Sequence, residues 1–213
     1  MATYREIADA VKSGNRKSVQ ALVQEMIDAG SKAEEILNQG LVVGMNELGE
    51  AFSKNEVFVP EVLIAARAMK AGTALIKPML MAENVQSLGT VAIGTVQGDL
   101  HDIGKNLVGM MLEGAGFTVV DLGTDVAPEQ FVAAVKEQGV NVIGMSALLT
   151  TTMTNMKAVI DLLNEQGLRG QVKVMIGGAP ITQEFADEIG ADGYSSDAAS
   201  AAVLAKKLVG AVA

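Results

Sequence analysis

Residues 90–123 run "TVAIGTVQGDLHDIGKNLVGMMLEGAGFTVVDLG". A short β-rich stretch, "TVAIGTV", leads into a polar loop; a helical stretch begins at about Ile103, and a second β-rich run, "TVVDLG", follows. The loop is bounded by Gly98 and Gly104 and holds His101 between Asp99 and Asp102; His101 is the only histidine among 213 residues. The same alternation then continues through a helix from Pro128, "VNVIGMSA", a helix from about Thr152, "VKVMIGG", a helix from Thr182, "ADGYS" and a last helix from Asp197. Strands separated by one helix each imply right-handed crossovers and a parallel sheet.

Five such units predict an α/β fold with a five-stranded parallel sheet in the order 2-1-3-4-5, flavodoxin-like or, more broadly, Rossmann-like. Ligands of such sheets bind beyond the carboxyl ends of the strands, near the switch point between strands 1 and 3. His101 follows strand 1, so topology alone places it in that crevice. The first 88 residues follow a different period. "REIADAVKSG", "RKSVQALVQEMIDAG", "KAEEILNQGLVVGMNELGEAF" and "PEVLIAARAMKAGTALIKPMLMAE" space their apolar residues by three and four, as amphipathic helices do. Gly14, Gly30 and "SKNE" separate them, and Pro60 suits a first helical turn. Four antiparallel helices are the simplest packing. The expected domains are therefore 1–88, all helical, and 89–213, α/β, with "ENVQSLG" as the linker.

Composition removes several classes of function. Asp and Glu number 25 against 16 Lys and Arg, a formal charge of −9 with no basic cluster, which argues against nucleic acid as a partner. No apolar run approaches the ~20 residues that span a bilayer. The opening "MATYREIADAVKSGNRK" lacks the apolar stretch of a secretory signal, so the cytoplasm is expected. With no cysteine there are no disulfides, thiolate nucleophiles or Cys-based metal sites. Aromatic residues make up only 3% while Met numbers 12, so the core must be aliphatic.

"GDLHDIGKN" superficially resembles a phosphate loop, but five residues separate Gly98 from Gly104 and Asn106 follows Lys105 where Ser or Thr should hold magnesium. A phosphate-accepting receiver domain needs an Asp ending strand 3 and a Lys after strand 4; "SALLTTTM" and "GGAPIT" stand there instead. Zinc would find one nitrogen and neighbouring carboxylates, with no second His or Cys. Taken alone, His101 reads as a surface or capping residue, and Thr152 as a helix N-cap. Taken together with Ser146, Leu148, Thr150, Gly177 and Gly178 at the same sheet edge, they describe a narrow slot with polar walls, suited to a long, polar-tipped ligand. A carboxylate two residues from the imidazole can orient one ring nitrogen and turn the other towards a metal. One protein nitrogen suffices only where a macrocycle already fills the equatorial positions.

Residues 98–104 ("GDLHDIG"), 146–152 ("SALLTTT") and 177–180 ("GGAP") resemble the D-x-H-x-x-G … S-x-L … G-G signature of cobalamin-binding domains. "GMNELGEAFSKNEVFVPEVLIAARAM" is similar to the helical cap that precedes such domains in methyl-transferring corrinoid proteins and methionine synthase. The likeness covers nearly the whole chain and is nearest to the small corrinoid proteins of methylamine and methanol methyltransferases. It implies cobalamin or a related corrinoid as cofactor, with His101 as the lower axial cobalt ligand in place of the tail base, and Asp99 as its hydrogen-bond partner. Thr152 stands where the family usually has Ser. Gly98, Leu100, Asp102, Ile103 and Gly104 would meet the cofactor around His101. Ser146, Leu148 and Thr150 would line the tail slot, and Gly177 and Gly178 would let the nucleotide pass close to the backbone. Phe58 would shield the upper, methyl-bearing face, unless it is a core residue between helices. The implied function is that of a non-autonomous methyl carrier between a substrate-specific methyltransferase and an acceptor methyltransferase, served by a reductive activation protein. A cobalamin-responsive regulator is the alternative. The binding subunit of a radical isomerase would leave the helical cap unexplained.

Overall fold

Thr3 opens the first helix through a reciprocal box: its hydroxyl accepts the Glu6 N–H at 3.2 Å and Glu6 accepts the Thr3 N–H at 2.9 Å. In the computed structural model, which describes residues 2–83, 85 and 87–211, this helix is α1 (Tyr4–Lys12). Asn15 caps α2 (Arg16–Asp28), and α3 (Ala33–Glu35), α4 (Val42–Ser53) and α5 (Val59–Ala82) follow. Pro60 lies in the first turn of α5, where its missing N–H costs no helical bond. Within this unit α2 packs on α5 and α1 on α4, around Ile7, Val11, Val19, Val23, Leu41, Met45, Leu48, Val62 and Ile76. The third helical stretch departs from the uninterrupted α-helix expected of it: Ile36–Leu41 forms a π turn between α3 and α4. Three- and four-residue apolar spacing continues across that turn, so periodicity does not reveal it.

The chain divides into two compact units, residues 1–86 with 114–116, and residues 87–113 with 117–213. Of the expected linker, 83–89, Asn84 and Gln86 lie outside the described residues.

The second unit has β1 (Thr90–Thr95), α6 (Ile103–Gly114), β2 (Thr118–Asp121), α7 (Pro128–Gln138), β3 (Val142–Ser146), α8 (Asn155–Glu165), β4 (Lys173–Gly177), α9 (Gln183–Ile189), β5 (Gly193–Ser195) and α10 (Ala198–Leu208). The strands form one parallel sheet in the order β2-β1-β3-β4-β5, as the alternation predicts. The central strands β1 and β3 are buried almost throughout, which is why they read as continuous apolar runs. Phe131, Ile143, Met156, Leu163 and Ile176 are fully buried in the core around the sheet. Register aligns the carboxyl ends: Thr95 is opposite Ser146, Ser146 opposite Gly177, and Gly177 opposite Ser195. Loops carrying the candidate residues of this unit therefore leave the sheet side by side. α8 begins at Asn155 rather than near Thr152, because residues 149–154 form a turn in which the Thr152 side chain is engaged elsewhere.

Candidate functional site

Past β1 the chain turns sharply, with the Asp99 N–H donating to the Val96 carbonyl at 3.1 Å. Gly98, the third residue of this turn, has φ +81°, a left-handed conformation that glycine adopts without steric cost. The turn directs Asp99 inward until its side chain has no solvent exposure. There Oδ1 accepts the His101 Nδ1–H at 2.7 Å and the His101 backbone N–H at 3.1 Å. Oδ2 accepts the Leu148 N–H at 2.8 Å, the Leu149 N–H at 3.3 Å and the Thr152 hydroxyl at 2.8 Å. Burial alone would raise the Asp99 pKa. The Leu148 N–H, the imidazole, the Thr152 hydroxyl and the His101 N–H outweigh it and hold the carboxyl well below the usual carboxylate range.

An ionised carboxylate only accepts, so Nδ1 carries the ring hydrogen and the neutral ring keeps its lone pair on Nε2. No protein partner is found for Nε2 among the described residues, and the His101 side chain is 53% exposed. The main chain is held as firmly as the ring. The buried Thr95 hydroxyl donates to the His101 carbonyl at 2.8 Å, and Asn155 Nδ2 donates to the Gln97 carbonyl at 2.8 Å.

The loops that carry His101 and the Asp99 donors also carry exposed apolar side chains, with Leu100 72% and Ile103 78% exposed, and Leu148 and Leu149 less so. Asp102, directly before α6, is engaged by that helix: its Oδ2 accepts from Asn106 Nδ2 at 3.0 Å. Gly104, second in α6, has nothing within 4 Å of where a Cβ would stand. Among the described residues nothing gives a packing reason for that glycine. Ser146 is half-buried at the end of β3, and Thr150 is exposed in the loop beyond it. Gly178 has an internal reason: with φ +127°, a Cβ there would lie 1.9 Å from the Ala147 carbonyl oxygen. At Gly177 a Cβ would lie 2.9 Å from the Ser195 carbonyl oxygen. Phe58 belongs to the first unit, at the N-cap of α5, and is 63% exposed, so it is not the core residue between helices that one reading allowed.

Several residues of this region escape sequence reasoning. Lys105 is buried and donates to both oxygens of Asp121, at 2.6 and 2.7 Å, and to Asn106 Oδ1 at 2.8 Å. It ties the start of α6 to the end of β2, the opposite of a phosphate-loop lysine reaching for a ligand. Its signal was present in a lysine directly after the motif and an aspartate ending the next strand. Thr95, Asn155 and Asp125 bind backbone atoms, and such partners carry no residue-type signature. Among the described residues no group of three or more His, Asp or Glu could hold a metal ion. A single aimed imidazole fits a metal that brings its own equatorial ligands, and it fits no bare ion.

Comparison with known proteins matches both units of the chain. Residues 89–203 match a family described as the B12 binding domain, and residues 3–77 match a second family of the same description. A dimethylamine corrinoid protein of Methanosarcina barkeri is 47% identical over 207 residues, covering 96% of both chains. The crystal structure of a cobalamin-binding protein from Desulfitobacterium hafniense DCB-2 superposes with TM-score 0.84 at 30% identity, over 98% of this chain and 99% of that one. A chain of the methanol:cobalamin methyltransferase complex of Methanosarcina barkeri gives TM-score 0.84 at 33% identity, over 98% of this chain and 80% of its own. Matched along both its units, this chain belongs to the family of corrinoid (B12-binding) proteins homologous to the methylamine and methanol corrinoid proteins.

Proposed function

We propose that this chain binds cobalamin or a related corrinoid base-off, with His101 Nε2 as the lower ligand of cobalt, and carries a methyl group between two cytoplasmic methyltransferases. One would be specific for the methyl donor and the other for the acceptor, with a reductive activation protein as a third partner. The observation that carries this reading is the half-exposed His101 ring: Nδ1 is locked to a buried carboxylate, and Nε2 has no partner among the described residues.

Cobalt held in a corrin supplies the methyl-accepting and methyl-donating chemistry when bound. The chain's own residues prepare for it. Asp99 fixes the tautomer and orients the ring, and Thr152 holds Asp99 in place. Leu100, Ile103 and Leu148 offer an apolar rest for a flat macrocycle beside the ligand, and the empty space at Gly104 lets it approach α6. Ser146 and Thr150 offer hydroxyls to the displaced tail, beside the bare backbone of Gly177 and Gly178. Phe58, exposed on the first unit, is the candidate for covering the opposite, methyl-bearing face. Methylated amines are the donor class supported by the name of the 47% identical relative.

Electron paramagnetic resonance of the cobalt(II) holoprotein tests the ligand. Coupling to one protein nitrogen is expected in the wild type and absent in His101→Ala. Coupling that survives in the variant would remove His101 from the metal.

A further inference from the structure

The turn that carries Asp99 is also held through its main chain, by a residue outside all three strand-end motifs. Asp125 lies between β2 and α7. Its backbone N–H donates to the Asp99 carbonyl at 2.9 Å, and its Oδ1 accepts the Gly98 N–H at 2.7 Å. The two bonds close a ring around the Gly98–Asp99 pair, so one residue holds the last two residues of the turn. Asp125 is itself anchored on either side. The Thr95 N–H donates to the Gly123 carbonyl and the Val126 N–H to the Thr95 carbonyl, both at 3.0 Å, and Val96 and Val126 form a parallel bridge. The clasp is therefore built on the end of β1, the strand that also launches the His101 loop.

Its backbone conformation marks it out. Asp125 has φ +53°, which among the described non-glycine residues only Asn55 shares in sign. Asp and Asn enter the left-handed region more readily than other side chains, because a short polar group can bond nearby backbone. Glycine would satisfy the conformation more cheaply, as Gly123 does two residues earlier with φ +88°. What glycine lacks is the acceptor for the Gly98 N–H. The carboxylate is thus explained by the bond it makes to the turn, and not by the bend of its own loop.

We propose that Asp125 is a positioning residue for cofactor binding: clasping the Gly98–Asp99 turn, it sets where His101 Nε2 stands before the cofactor arrives. This inference rests on the reading of His101 as the cobalt ligand. Asp125→Gly keeps the left-handed backbone and deletes the acceptor, whereas Asp125→Asn keeps both. In the full chain titrated with hydroxocobalamin, Asp125→Gly should weaken binding roughly 10-fold, the low end of the effect of losing a partner that orients a metal ligand. After reduction to cobalt(II), a fraction of its bound cobalamin should lack nitrogen coupling. That fraction is counted only among bound cofactor, so partial unfolding of the variant cannot imitate it. In the cofactor-free chain, exchange of the Gly98 amide hydrogen should quicken in the glycine variant. Asp125→Asn should restore all three readings. Wild-type affinity with complete nitrogen coupling in Asp125→Gly would overturn the proposal, as would equal losses in the glycine and asparagine variants. Coupling that persists in His101→Ala would instead refute the ligand assignment, and the Gly98 exchange rate would still report on the clasp.

Discussion

Asp99 receives five donors on two oxygens: two from His101 and three from the loop after β3. An asparagine has the same shape but only one oxygen. Whichever way its amide faces, an NH2 group must meet either the two His101 donors or the Leu148, Leu149 and Thr152 donors. Asp99→Asn is therefore expected to destabilise the second unit by about 1–3 kcal/mol, the cost of buried donors left unsatisfied. Cobalamin affinity should fall by ~10–100-fold with it. Chemical denaturation at neutral pH and a cobalamin titration measure the two effects, and a variant matching the wild type in both would show that the network does not hold the ring. At this scale the side chains with distinctive chemistry were legible: a sole histidine, an aspartate two residues before it, a hydroxyl at Thr152. Leu148 was legible only as a slot lining, although its N–H is a principal donor to Asp99. Main-chain donors look alike at every residue, and no sequence pattern announces them.

Helix α10 shows how an element depends on one carboxylate. Asp197 accepts the N–H groups of Ala199 and Ser200, both at 2.9 Å, and its own N–H donates to the Ser200 hydroxyl. Burial opposes its ionisation, but these donors prevail and its pKa lies below the ordinary value. A folded pKa below the unfolded one, ~3.9, means stability that is fully present above that value and lost as pH falls through the folded pKa. Asn caps helices about as well as Asp without titrating, so Asp197→Asn should match the wild type near neutrality and lose less stability below about pH 4. Denaturation curves of both proteins from pH 6 down to the acid limit would decide it, and identical acid slopes would clear Asp197 of the effect. Sheet order, by contrast, needs no such detail. Alternating strands and helices with short connections leave little choice of topology, which is why the order of five strands was legible while the π turn at Ile36–Leu41 and the late start of α8 were not. Both departures arise where a helical apolar spacing continues through backbone that bonds differently.

The whole chain changes period once, near residue 88, and that change made its two-part organisation legible. A role for Phe58 was not legible, because an exposed apolar residue carries no label for its partner. Every hydrogen bond described around His101 has both partners between Thr95 and Asn155. A chain beginning at Ser87 should therefore still bind cobalamin and show protein-nitrogen coupling, while losing its methyl group faster to light or oxidation. Failure of that shortened chain to bind any cobalamin would contradict the division of labour. The three loop donors to Asp99 include two that are main-chain, from Leu148 and Leu149. Replacing either side chain leaves its N–H in place, so the surface of this loop can change in size and shape while the bonds that hold Asp99, and through it the His101 ring, persist. Mutation there redraws a surface and leaves the carboxylate beneath it gripped.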